Sequence, residues 1–116
     1  MDERIEKAFE TANYMATLSN QKRIIYEEFT QQLIFYINGG TFKITTELIS
    51  YIKTLIDTNQ TTDMVLIDSN NVPVLIDNVQ KLFDDVTTQY SEATQAYSKK
   101  YAEIRVKRKI KDIIEL

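Results

Sequence analysis

The most distinctive chemistry in the sequence is a basic segment near its carboxyl end. Residues 99–111 hold seven cations and one acid, Glu103, a local charge of +6 in a chain whose total charge is −3. A basic helix attracts phosphate groups, with an affinity that falls as salt rises. Only one aromatic residue, Tyr101, lies within the segment to stack on a base, so we expect contact with an acidic protein surface rather than nucleic acid. The predicted phosphate or partner contacts are Lys99, Lys100, Arg105, Lys107, Arg108, Lys109 and Lys111.

Aspartates are the second candidate, because carboxylate oxygens are the ligands of Mg²⁺ and Ca²⁺. The segment that starts at Asp68 begins like a calcium loop, but its sixth residue is Pro73 rather than glycine and its twelfth is Val79 rather than glutamate. We therefore predict no metal and no cofactor, with Asp68 closing a turn and Asp77 capping a helix. The aspartates considered as a metal site are Asp63, Asp68, Asp77, Asp84 and Asp85.

Tyrosines form a third pattern. Tyr90, Tyr97 and Tyr101 share one face of a predicted helix, and three further tyrosines lie in the first part of the chain. Tyrosine buries its ring while its hydroxyl stays hydrated, which is typical of helix contacts and subunit interfaces. A ligand pocket is the alternative interpretation, and we expect an interface or core. The earlier tyrosines are Tyr14, Tyr26 and Tyr36.

The chain contains neither cysteine nor histidine. This composition excludes disulfides, thiolate nucleophiles, histidine dyads and the usual zinc sites. Gly39-Gly40 also lacks the spaced glycines and the lysine of a phosphate-binding loop. We therefore predict that the protein is not an enzyme.

Two long flanks must position these residues. In residues 1–38, apolar side chains recur every three or four positions, which predicts a helix ended by Gly39. The polar stretch 19–23 either divides this helix or leaves it intact, and one helix is favoured because no glycine or proline falls there. In residues 77–116, the same spacing predicts a helix from Asn78 to about Ile114, with Asp77 as its N-cap.

The middle segment, residues 39–76, changes its period. Alternation over 41–45 predicts a short strand, and a helix capped by Thr45 or Thr46 should run through Ile56. Two β-branched runs around Ser69-Asn70-Asn71 predict a hairpin, with Pro73 at an edge or with its nitrogen outward.

The predicted fold is therefore mainly α with a small β element (α+β), a single domain of residues 1–116. Two long antiparallel helices flank a strand–helix–hairpin insertion. Two helices alone leave much apolar surface exposed, so we expect a third packing partner, either the middle helix or another copy, and favour a homo-oligomer, a dimer or larger. No apolar run is long enough to span a membrane, and MDERIEKAF lacks the apolar region of a signal peptide, so a cytoplasmic location is expected.

Several stretches resemble small uncharacterised proteins of myoviruses, contractile-tailed phages that infect marine cyanobacteria. They are MDERIEKAF at the start, ANYMATLSNQKR at 12–23, FYINGGTFKIT at 35–45, DSNNVPV at 68–74 and YAEIRVKRKIKDIIEL at the end. The likeness covers most of the chain and carries no catalytic or binding motif. It implies a phage origin, expression in a bacterial host cytoplasm and a place in virion assembly.

The lead hypothesis is a non-enzymatic, self-associating helical protein with a structural or assembly role. The alternative is a regulator or nucleic-acid-binding module that acts through residues 99–111. A metal-dependent enzyme that uses the aspartates is the third hypothesis.

Overall fold

A computed structural model describes the backbone of residues 2–115 and the side chains of residues 2–106. Over that range the chain forms three helices and two antiparallel two-stranded sheets, which confirms the mainly α fold with a small β element. It divides into a two-helix unit, Met1–Phe29 with Ala96–Leu116, and a mixed unit, Thr30–Gln95. The elements are α1 (Glu3–Gln32), β1 (Ile34–Ile37), β2 (Gly40–Lys43), α2 (Thr46–Asp57), β3 (Thr62–Ile67), β4 (Pro73–Asn78) and α3 (Val79–Glu115).

The first helix, α1, runs without a break through residues 19–23, which confirms the prediction of one helix. Arg23 supports this stretch from within, because its guanidinium donates to Glu27 at 2.8 Å and to Asn20 at 2.5 Å, one helical turn away on either side. The helix ends at Gln32, six residues before the predicted end.

The predicted helix end at Asn38 is wrong because residues 34–37 form strand β1. This strand pairs with β2 across a two-residue turn, with Ile37 opposite Gly40. Asn38 and Gly39 occupy this turn with φ of 49° and 78°, the backbone of a type I′ hairpin turn. Asn-Gly between β-branched and aromatic residues is the strongest short hairpin signal in a sequence. Gly39 therefore turns a hairpin rather than stopping a helix.

The starts of α2 and α3 follow from their caps. Thr45 Oγ1 accepts from Leu48 N at 3.1 Å, as predicted for α2. The predicted cap of α3 at Asp77 is wrong, because β4 continues through Asn78 and Asn78 Oδ1 accepts from Lys81 N at 3.0 Å. The long helix itself is confirmed, at Val79–Glu115 against a prediction of 78 to about 114.

The predicted second hairpin is confirmed, with β3 and β4 joined by a turn in which Asn71 has a φ of 61°. The inward side chains of this hairpin pack into the core of the mixed unit. Gly40 lies so close to the hairpin that a Cβ there would overlap the Cγ2 methyl of Val74. The most deeply buried side chains of this core are Ile44, Ile52, Ile76, Val79 and Val86.

Substituting Gly40→Ala should therefore destabilise the mixed unit. An added methyl group in a closely packed core costs about 1–3 kcal/mol, and Gly40→Ala/Val74→Ala should recover part of that loss by removing the overlapping methyl group. Urea unfolding measures both variants. Equal midpoints for Gly40→Ala and the natural protein would contradict the close contact.

Candidate interaction surfaces

Three of the predicted tyrosines meet in an aromatic cluster of the two-helix unit, defined as Tyr26, Phe29, Tyr97 and Tyr101. Tyr97 is central: its ring stacks on Phe29 with centroids 4.7 Å apart and lies 6.2 Å from Tyr26 and 6.1 Å from Tyr101. Spacings of this size are those of interacting aromatic pairs. The cluster joins residues of α1 to residues of α3, so it is a contact between the two helices of this unit.

The other tyrosines lie outside this cluster. Tyr90 is half-buried in the mixed unit, and Tyr36 is exposed on β1. Phe29 was missed from the sequence as the partner of Tyr97. The predicted antiparallel pairing of the two long helices could have indicated this contact. It places the end of segment 1–29 next to the start of segment 96–116.

Two of the three described cations of the basic segment make contacts within the protein. Lys100 forms an ion pair with Glu28, and the Arg105 guanidinium lies 4.9 Å from the Tyr101 ring centroid. Lys22 lies 5.6 Å from the same ring, so Tyr101 makes cation–π contacts with both helices. Lys99 is exposed. The predicted contacts Lys107, Arg108, Lys109 and Lys111 lie outside the described side chains.

The two-helix unit has a thin core. Among its described side chains, the fully buried apolar ones are Leu18 and Ile104, at 5% and 6% exposure. Large apolar side chains on the same helices face solvent, and Phe9 is the most exposed at 58%. An amphipathic helix buries its apolar stripe against a partner. The exposed set comprises Ile5, Phe9, Met15, Ile24, Tyr26 and Val106.

The two helices of this unit form a groove with a volume of about 270 Å³. Isoleucines form its apolar surface, and the Glu28–Lys100 ion pair lies at its edge. The residues that line it are Gln21, Ile24, Ile25, Glu28, Lys100, Glu103 and Ile104.

In the mixed unit, Asp68 joins the two hairpins. Its side chain is buried, at 7% exposure, and Oδ2 accepts from Thr41 N at 2.9 Å. Oδ1 accepts from Asn70 N at 2.9 Å and Val72 N at 2.8 Å, which closes the turn as predicted. The amide groups of Thr41 and Val72, with a smaller effect from Asn70, hold the pKa of Asp68 below its usual value, against the opposing effect of burial.

The remaining predicted aspartates do not assemble into a metal site. Among the described residues, no group of three or more carboxylates is arranged to hold a metal ion. Asp84 instead accepts a hydrogen bond from Gln80 at 3.0 Å.

The hairpin β3–β4 is apolar on both faces. Leu66, Val74 and Ile76 point into the core, whereas Val65 and Leu75, opposite each other, are 53% and 51% exposed. Ile67 is also exposed, at 60%, opposite Pro73. A solvated sheet face is normally polar, so this outer face is a second candidate interaction surface. The sequence signal for this surface is the continuous apolar run Val65-Leu66-Ile67, because successive residues of a strand point to opposite faces of the sheet.

No protein-family model, curated protein or solved structure matches this chain. A search of the described residues finds no helix long and apolar enough to cross a membrane. The interpretation of function therefore depends on the geometry of the surfaces themselves.

The Asp68 contacts predict an acid-sensitive stability. Because the folded-state pKa is lowered, the carboxylate stabilises the fold above its unfolded-state pKa, and this contribution is lost as pH falls through the folded-state value. Asp68→Asn should lower the melting temperature at pH 7. It should also make the melting temperature decrease less steeply as the pH falls. Thermal melts between pH 7 and pH 3 measure this effect.

Asp57→Asn is the matched control for this prediction. Asp57 forms an exposed ion pair with Lys53 at 3.1 Å, and exposed pairs contribute little to stability. Parallel pH profiles of Asp68→Asn and the natural protein would contradict the assigned role of Asp68.

Proposed function

We propose that this protein is a non-enzymatic, self-associating component with a structural or assembly role. The observation that carries the proposal is the imbalance in the two-helix unit, where two apolar side chains are buried and six large ones are exposed among those described. A third or fourth helix packed on these helices would give them the core that a helical bundle has.

The described charges favour a protein partner over nucleic acid. Lys100 is paired with Glu28, and Arg105 lies against Tyr101, so both cations already have a partner within the chain while they stay accessible to solvent. The tyrosine that a base would stack on is in contact with Lys22 and Arg105. The absence of histidine and cysteine from the sequence adds support for a role other than catalysis.

The biological setting of the proposal comes from the resemblance to small myovirus proteins. On that basis we place the role in virion assembly or in the virion itself, within a bacterial host cytoplasm. Association through the two-helix unit is independent of this setting.

Self-association is tested by sedimentation velocity of the full chain from about 1 µM to several hundred µM. The expected result is a dimer or a larger species that dissociates on dilution, since burial of apolar side chains drives association. A monomer at every concentration would overturn the proposal.

The surface is tested with Phe9→Ser, which removes the most exposed apolar side chain of the two helices. Loss of one buried aromatic contact should weaken association by roughly tenfold or more. Tyr51→Ser on α2 is the matched control, because Tyr51 is similarly exposed, at 51%, but lies in the mixed unit. Equal effects of the two substitutions would contradict the assignment to the two-helix unit.

A further inference from the structure

Within residues 2–106, the backbone groups on the outer edge of β3 have no hydrogen-bond partner. Asp68 N donates to Val72 O at 2.9 Å, and bonded and non-bonded pairs alternate along an antiparallel ladder. Val65 and Ile67 therefore belong to the non-bonded pairs with Leu75 and Pro73, and their N–H and C=O groups point away from β4. Within residues 2–106, no hydrogen bond from outside the hairpin reaches Val65 or Ile67.

The opposite edge of the hairpin is closed. Pro73 has no N–H to donate, and Leu75 O already accepts from Asn38 Nδ2 at 2.8 Å. The two edges of one hairpin thus differ: β4 is blocked, whereas β3 is open over Met64–Ile67.

The open edge also lacks the usual protection. Exposed edge strands normally carry charges, a proline or a bulge that prevents pairing with another chain. Residues 64–67 are Met-Val-Leu-Ile. A left-handed backbone occurs only before them, at Asp63 with a φ of 51°.

We propose that a second copy of this chain pairs with β3 edge to edge, antiparallel, about a two-fold axis at Leu66. Val65 then lies opposite Ile67 of the partner subunit, and Ile67 opposite the partner's Val65. Both are hydrogen-bonded pairs, so four main-chain hydrogen bonds form and the two hairpins become one four-stranded sheet. This inference rests on the proposed self-association and adds a second surface to it.

A second copy fits this edge for three reasons. The unsatisfied groups are two residues apart, so the strand is complementary to itself in antiparallel register. The paired segment 64–68 places its one acid, Asp68, opposite the partner's Met64, so no like charges face each other. The blocked β4 edges then stop further strand addition, so the shared sheet closes at four strands.

Proline substitution tests the pairing. Val65→Pro removes an edge N–H without removing a hydrogen bond of the β3–β4 ladder, because Val65 is in a non-bonded pair. In a symmetric dimer two of the four new bonds are lost, so the dissociation constant of the dimer should rise about 30-fold. Leu75→Pro is the matched control, in the same pair but at the blocked edge. Sedimentation velocity measures the dissociation constant of both variants, and circular dichroism verifies that they fold. Equal dissociation of the two variants would overturn the inference.

The register is tested with single cysteines, which are unique because the natural chain has none. Val65→Cys mixed with Ile67→Cys should form disulfide-linked heterodimers on mild oxidation, since facing residues of adjacent strands have the Cα separation a disulfide needs. Leu75→Cys mixed with Ile67→Cys should not. Cross-linking in both mixtures, or in neither, would overturn the proposed register.

These outcomes separate the inference from the proposed function. If the two helices do not associate but β3 does, the natural protein is a dimer whose dissociation constant is raised about 30-fold by Val65→Pro and left unchanged by Phe9→Ser. If β3 does not pair, Val65→Pro sediments like the natural protein and no specific disulfide forms, whatever Phe9→Ser does.

Discussion

The mixed unit depends on one buried carboxylate. Asp68 accepts three backbone N–H groups, two within its own turn and one from Thr41 in the other hairpin. A buried charge is tolerated only when its hydrogen-bonding capacity is satisfied, and here two donors are amides of the β3–β4 turn and one is an amide of strand β2. Ser69 extends the same junction, since its N–H donates to Thr41 O and its Oγ accepts from Lys43 N. Two small sheets, each marginal alone, are thereby joined through the β3–β4 turn and strand β2.

The two-helix unit, in contrast, contains apolar side chains that it does not bury. Its helices make an aromatic cluster and an ion pair, yet six of their described large apolar side chains remain exposed to water. Water penalises such exposure roughly in proportion to area, so the unit gains from any partner that covers it. On the outer edge of β3, the N–H and C=O groups of Val65 and Ile67 likewise lack hydrogen-bond partners within residues 2–106. Both features support the proposed self-association.

Much of the fold could be predicted from spacing. The period of apolar residues predicted both long helices, and the absence of glycine and proline correctly favoured an unbroken α1. The errors occurred where a residue has two roles. Gly39 can end a helix or turn a hairpin, and only the pairing of 34–37 with 40–43 decides between them. Asp77 and Asn78 can both cap a helix, and the continuation of β4 selects Asn78. The Asn38-Gly39 pair was the sequence signal for the hairpin, whereas nothing local in the sequence distinguishes Asp77 from Asn78 as the cap.

The candidate surfaces were predictable to a smaller extent. Tyrosine spacing on one helix face led to Tyr97 and Tyr101, but Phe29 and Tyr26 join them through packing between α1 and α3, which depends on the relative register of the two helices. The basic segment was evident from charge alone. The pairing of Lys100 with Glu28 was not, because it joins residues 72 positions apart.

If this chain functions as part of an assembly, its amide hydrogen exchange should depend on protein concentration. Between about 1 µM and about 500 µM, exchange should slow in α1 and at the amides of Val65 and Ile67, while the Asp68 turn should be equally protected at both concentrations. Exchange rates independent of concentration throughout the chain would contradict the proposed association.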